Sequence, residues 1–154
     1  MQKKYYIAYG SNLNVRQMAW RCPGATVAGT ATLDGWRLAF RGSKTGAYLT
    51  IVPCQGCSVP VGVWEITEAD EKALDRYEGF PHFYYKQTFR VEMQNHLTGK
   101  STVVDALIYI MREDRPQGVP DPSYVQTCVE GCMDFYLDEA ALDDALSRAR
   151  KGVD

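Results

Sequence analysis

The chain lacks most of the features that carry chemistry by themselves. No stretch approaches the ~20 consecutive apolar residues of a membrane span, and the apolar run at residues 5–9 is too short for a secretion-signal core. Neither charge sign dominates: 17 Lys and Arg against 19 Asp and Glu leave a net charge of −2. The basic residues are also scattered, which argues against nucleic-acid and membrane-surface partners. No Gly-Lys-Ser/Thr run and no three-glycine dinucleotide pattern is present. The cysteines number five, an odd count unlike a secreted disulfide framework, so a cytoplasmic protein with free thiols is expected. Repeats, linkers and low-complexity segments are absent.

What is present fits an ordinary globular chain. The 154 residues suffice for one domain, 1–154, with a real core. Residues 5–9 read as a buried strand, broken by Gly10-Ser11-Asn12, and residues 14–21 have helical spacing up to Cys22-Pro23-Gly24. Residues 26–33 and 36–41 read as strands joined by an Asp34-Gly35 hairpin turn. Two further strands, 47–53 and 59–66, are expected on either side of the connection at residues 53–58. Thr67 and Asp70 resemble a capping box that starts a helix over 68–78, which Gly79 and Pro81 end. Strands at 84–93 and 102–111 follow, with Tyr85 on the parity of Phe89, Val91 and Met93. Asp121-Pro122 starts a helix to about 136, and Asp138 caps a final one over 139–150. Many strands with few helices between them predict an α+β fold: a mixed or antiparallel sheet curled towards a barrel, with helices at its ends.

Two features suggest chemistry. A strand ending in Gly10-Ser11-Asn12 before a helix lets a ligand approach the backbone. Its free N–H groups suit an anion, a carboxylate rather than a nucleotide. The plain alternative is a simple strand-to-helix turn. Glu78 stands in the last turn of its helix, where the macrodipole disfavours a negative charge. Tyr77, Phe80, Phe83, Tyr84 and Tyr85 lie close in sequence and would shield it from water. Both effects raise its pKa, as a general acid/base near neutral pH requires. The plain alternative is an exposed carboxylate at a frayed helix end. His82 is a rival base without an evident orienting partner, and His96 falls in the turn expected over 95–100. Cys54-Gln55-Gly56-Cys57 has metal-like or redox-like spacing, and Cys128 and Cys132 lie one helical turn apart. A four-cysteine zinc site is conceivable on paper, but the second pair reads more naturally as helix core.

Tyr9-Gly10-Ser11-Asn12-Leu13, Arg21-Cys22-Pro23, Leu33-Asp34-Gly35-Trp36-Arg37-Leu38, Gly62-Val63-Trp64-Glu65-Ile66 and Leu74-Asp75-Arg76-Tyr77-Glu78-Gly79 together resemble the γ-glutamylcyclotransferase-like (AIG2-like) superfamily, over approximately 5–136. The resemblance implies a mixed β-barrel core with flanking helices and a pocket at the barrel mouth. It implies that Gly10, Ser11, Asn12 and Leu13, with Tyr9, hold the glutamyl end of a small-molecule γ-glutamyl substrate, and that Glu78 is the acid/base. It also places Tyr85 and Tyr124 in the pocket. The implied reaction is cyclisation of a γ-glutamyl amide to 5-oxoproline with release of an amine. That reaction needs no cofactor and no metal, because the substrate's α-amine is the nucleophile. Two alternatives stay open: a non-catalytic small-molecule-binding protein of the same fold, and a specialised cyclotransferase that removes a γ-glutamyl protecting group in a biosynthetic pathway. A homodimer is also left open. Loops at 41–47, 79–84 and 112–120 are expected to shape the leaving-group end.

Overall fold

A computed structural model describes residues 3–43 and 46–153. The elements are β1 (Lys4–Ala8), a 3-10 turn (Ser11–Leu13), α1 (Val15–Arg21), β2 (Thr26–Arg41), β3 (Tyr48–Ile66), α2 (Glu68–Glu78), β4 (Tyr84–Asn95), β5 (Ser101–Met111), α3 (Pro122–Asp134) and α4 (Ala140–Arg150). The strands close into a barrel in the order β1-β3-β2-β4-β5. Every seam is antiparallel except β1 with β5, which is parallel. The mixed barrel with flanking helices is therefore present. Its core includes Ile7, Val59, Val61, Val63, Ile66 and Ile108, all essentially solvent-free. Each such side chain contributes roughly 1.5–3 kcal/mol through burial.

The Asp34-Gly35 turn is a correction. Both flanking segments belong to one strand, β2, which pairs with β3 along its length. Gly35 takes a positive φ of 86°, the conformation a hairpin would use, but it serves a bulge. The 53–58 connection is corrected with it, because β3 is also a single strand. The register steps from Trp36↔Pro53 to Asp34↔Ser58, so residues 54–57 swell out opposite Gly35. A long ladder with a local bulge outcompetes a tight local turn, since it keeps the apolar faces of both strand halves in the core. The sulfurs of Cys54 and Cys57 are joined in this swelling, while Cys22, Cys128 and Cys132 are free and buried. The expectation of free thiols throughout is thus corrected for one pair.

The helices begin and end much as the sequence predicts. Thr67 Oγ1 accepts from Asp70 N–H at 3.1 Å, and Thr67 N–H donates to Asp70 Oδ2 at 3.0 Å, completing the capping box of α2. Gly79 ends that helix in the left-handed region, at φ 64°. The N-cap of α1 is Asn14, which accepts from Gln17 N–H, and neither Ser11 nor Asn12 caps it. Asp138 accepts from Ala140 N–H at the start of α4. That helix buries Leu142, Ala145 and Ala149, and Arg148 donates to the β2 carbonyl of Leu38 at 2.7 Å. Helix α3 packs on the 3-10 turn through Gly131, where a Cβ would lie 2.6 Å from Leu13 Cβ and 2.7 Å from Asn14 N. Only a glycine allows the helix so close.

Candidate functional site

A cavity of about 370 Å³ opens between the 3-10 turn and the end of α2. β1 contributes Tyr6 and Tyr9, and the turn contributes Gly10, Ser11 and Asn12. Opposite them stand Arg76, Tyr77, Glu78 and Gly79, with Tyr48, Leu49, Phe83, Tyr84, Tyr109 and Tyr124 forming the remaining wall.

The turn is tightly tied. Leu13 N–H donates to Gly10 O and Asn14 N–H to Ser11 O, each at 3.0 Å. The N–H groups of Ser11 and Asn12 have no protein acceptor among the described residues. They are the unpaired donors that a helix start leaves over. Trp64 Nε1 donates to Asn12 O at 2.8 Å, and Asn14 Nδ2 reaches Thr127 O at 3.1 Å and Glu130 Oε1 at 3.3 Å. Leu13 is buried and turned away from the cavity, towards Gly62 and Gly131. It anchors the turn from behind and forms no part of the cavity wall.

Glu78 faces the turn. Leu74, four residues earlier on the same helix face, is fully buried and holds that face inward. The Glu78 side chain keeps some exposure, into the cavity, and Oε1 accepts from Asn12 Nδ2 at 3.4 Å. Burial among the surrounding tyrosines pushes its carboxyl up to about 8, against a smaller lowering by Arg21. The direction agrees with the sequence argument, and burial is its main cause. Tyr77, Phe83 and Tyr84 supply the expected shielding, together with Tyr6, Tyr9 and Tyr109, whose positions sequence proximity does not reveal.

The remaining wall is built from tyrosine hydroxyls tied to backbone. Tyr124 Oη accepts from Leu49 N–H at 3.1 Å, and Tyr84 Oη donates to Leu49 O at 2.8 Å. Tyr9 Oη donates to Tyr109 O at 2.7 Å, and Tyr109 Oη donates to Asp75 Oδ1 at 2.5 Å. Tyr85 is not among the residues of this wall. Its hydroxyl donates to Glu113 Oε1 at 2.6 Å, and Arg112 lies over its ring. The buried neighbour Tyr84 takes the inner position instead. Lys86, two residues on from Tyr84, is held against α2 by Glu71 and Asp75, so this face of β4 turns towards the helix. The parity read from Val91 and Met93 does not carry back to the start of the strand.

His82 and His96 are exposed, and neither lines the cavity. Among the described residues no group of three His, Cys, Asp or Glu is arranged to hold a metal ion. Lys44 and Thr45 of the 41–47 loop lie outside the described residues. No helix of the described residues is long and apolar enough to cross a membrane.

A family model, gamma-glutamyl cyclotransferase, AIG2-like, matches residues 6–126. The chain belongs to this family. The matched span carries the turn, α2 and every wall residue from Tyr6 to Tyr124. A solved gamma-glutamyl cyclotransferase is 26% identical, with a TM-score of 0.76 over 95% of this chain and 87% of its own. An uncharacterized protein from Homo sapiens is 27% identical, with a TM-score of 0.76 over 96% and 88%. A glutathione-specific gamma-glutamyl cyclotransferase from yeast shares the fold, with a TM-score of 0.65 at 12% identity over 99% and 98%. No functionally curated protein matches the chain by sequence.

Five side chains at or beside the site escaped the sequence reading of roles: Tyr6, Tyr48, Tyr109, Arg21 and Trp64. The available signal was composition. The chain has ten tyrosines against five phenylalanines. Buried tyrosine hydroxyls need partners, so such an excess marks a polar-lined interior.

Proposed function

We propose that this family member cyclises a γ-glutamyl amide, releasing 5-oxoproline and a free amine or amino acid, with Glu78 as the acid/base. The observation that carries the reading is the Glu78 carboxyl, facing the 3-10 turn across the cavity and held by burial at about 8. A free α-ammonium group titrates near ~8, so proton transfer between the two is nearly balanced. Glu78 takes a proton from the substrate's ammonium group. The freed amine attacks the γ-carbonyl carbon and forms the ring C–N bond. The bond to the leaving nitrogen then breaks as Glu78 returns the proton to it; Glu78 next takes the second proton of the ring nitrogen and passes it to the released amine, which leaves as an ammonium ion. The nucleophile belongs to the substrate, so the protein's work is to hold the folded conformer and move protons from the attacking to the leaving nitrogen.

The N–H groups of Ser11 and Asn12 bind an anionic part of the glutamyl group, with Gly10 keeping the backbone open. Tyr9 and Tyr124 shape the wall around it, and Leu13 supports the turn from behind. Tyr85 contributes outside the cavity, through the segment that carries Glu113. The test is incubation of the purified protein with a panel of γ-glutamyl dipeptides and γ-glutamyl amines, followed by mass spectrometry. Release of 5-oxoproline together with the matching amine is expected. Binding of panel members without any turnover would replace this reading with a ligand-binding role.

A further inference from the structure

The side chain of Asn12 joins Glu78 to two groups to which the cyclisation scheme gives no role. Its Nδ2 donates to Tyr6 Oη at 2.8 Å as well as to Glu78 Oε1 at 3.4 Å. Its Oδ1 accepts from Arg21 Nη1. Arg21 is itself fixed: its guanidinium carbon sits 3.4 Å from the Tyr77 ring centroid, and Nη2 donates to Gln17 Oε1 at 3.0 Å.

This arrangement sets the direction of a hydroxyl. An asparagine amide has two ends of nearly equal shape but opposite hydrogen-bonding sense. Arg21 can only donate, so it holds Oδ1 on its own side and turns Nδ2 towards Tyr6 and Glu78. Tyr6 Oη must then accept from Asn12, and its own hydrogen is left for another acceptor. Tyr6 is 3% exposed and lines the cavity. The other buried wall tyrosines are already engaged. Tyr84 donates to Leu49 O and Tyr109 to Asp75, while half-buried Tyr9 donates to Tyr109 O and half-buried Tyr124 accepts from Leu49 N–H. Among the described residues, Tyr6 is the buried wall tyrosine whose hydrogen has no protein acceptor.

Resting on the cyclisation reading, we infer that the Tyr6 hydroxyl donates to the γ-carbonyl oxygen as it becomes an oxyanion, and that Arg21 is a positioning residue that aims this donor through Asn12. The donor and Glu78 both bond Asn12 Nδ2, so proton shuttle and oxyanion donor act on one carbonyl. The inference also divides the anionic groups of the substrate. The Ser11 and Asn12 N–H groups hold the α-carboxylate, and Tyr6 holds the oxyanion. No bond is made to Tyr6. It keeps its proton throughout, and the moving protons travel only between the substrate nitrogens and Glu78. A donor fixed before the charge develops loses little to reorganisation, which is why such groups raise kcat rather than binding.

The experiment measures 5-oxoproline release from L-γ-glutamyl-L-alanine, or the best panel substrate, by the wild type, Tyr6→Phe, Arg21→Met, Arg21→Lys and the Tyr6→Phe/Arg21→Met double variant. Folding is checked by circular dichroism. Tyr6→Phe is expected to lose about 10²–10³-fold in kcat, with KM within about threefold. On the pH plateau, Arg21→Met is expected to cost much less in the Tyr6→Phe background than in the wild type. Arg21→Lys should recover part of its loss. Arg21→Met should also move the acidic limb of kcat/KM upward in pH, because the guanidinium favours ionised Glu78; a merely structural arginine would leave that limb in place. Should Arg21→Met not fold, Asn12→Asp serves instead, since it keeps an acceptor for Arg21 and removes the donor to Tyr6. A folded Tyr6→Phe variant with kcat within about threefold of the wild type overturns the inference alone. Absence of turnover by the wild type on every panel member overturns the cyclisation reading and this inference together.

Discussion

The two walls facing each other across the cavity are held in different ways. On the side of the 3-10 turn, Asn12 alone is gripped at its carbonyl by Trp64 and at its side chain by Arg21 and Tyr6. Asn14 binds α3, and Gly131 lets that helix press on the turn. On the other side, Glu78 accepts one hydrogen bond among the described residues, the 3.4 Å contact from Asn12. Its place is set by the body of α2, through the capping box at one end and the Asp75–Tyr109 bond near the other. A group that presents backbone donors works best when over-determined. A group that must gain and lose a proton near neutral pH works best with few donors, since each one would stabilise the carboxylate and lower its pKa.

The largest effect expected from breaking this contrast is on the titrating side. Glu78→Gln keeps the shape and removes the proton carrier, so kcat for 5-oxoproline release should fall by about 10²–10⁴-fold. Undiminished turnover would remove Glu78 from the proton path. In the wild type, kcat/KM should rise with pH through about 8, as the carboxylate forms.

The same group makes stability depend on pH in a direction opposite to that of a paired carboxylate. Its pKa in the folded state lies above its unfolded value, so the native protein holds the extra proton between the two. Stability from this group is full below the unfolded pKa and is lost as pH rises towards about 8. Urea unfolding of wild type and Glu78→Gln across pH 4.5 to 9 should therefore show the glutamine variant gaining relative to wild type, by on the order of a few kcal/mol. A constant difference would mean that Glu78 titrates normally. Comparison against the variant cancels the opposite trend of Glu71, whose carboxyl Lys4 and Lys86 hold low.

On the over-determined side, Gly131→Ala would push a Cβ into Leu13 and the Asn14 backbone. It should cost about 1–3 kcal/mol in chemical denaturation, with weaker substrate binding as the turn shifts. Thr67→Ala removes the cap remote from Glu78 and should cost about 1 kcal/mol with little change in kcat. The smallest effect is expected at the far end of the barrel. Residue 54 lies five positions beyond Leu49 along β3, about 17 Å at strand rise, so Cys54→Ser should leave kcat and KM unchanged. A large loss there would mean that the bulge communicates with the cavity.

Much of this organisation is legible in the chain. Capping residues, the glycine and proline stops and the alternating strands place α2, β4 and β5 within a residue or two, because those signals act over one turn of backbone. The bulged strands were misread for the same reason. Asp34-Gly35 is locally a hairpin signal, and only the competing ladder with β3 overrides it. Within the site, the Glu78 segment and residues 9–12 could be picked out from local chemistry and family resemblance. Tyr85 could not be separated from Tyr84, since which neighbour points inward depends on how β4 meets α2. Arg21 and Tyr6 were silent, because their meeting at Asn12 joins residues that only the folded turn brings together.

By itself the sequence determined the kind of molecule: a mixed barrel with end helices, a backbone turn with free donors, and a carboxylate at a helix end among aromatics. These follow from propensities, capping and patterning that operate between near neighbours. The tertiary structure decided the surroundings of that carboxylate. Closing the barrel sets Glu78 opposite the turn, and distant tyrosines bury it and raise its pKa. The same closure lets Asn12 bridge it to Tyr6 and Arg21. Burial and hydrogen-bond direction depend on what surrounds a group in space, and no local run of residues encodes that.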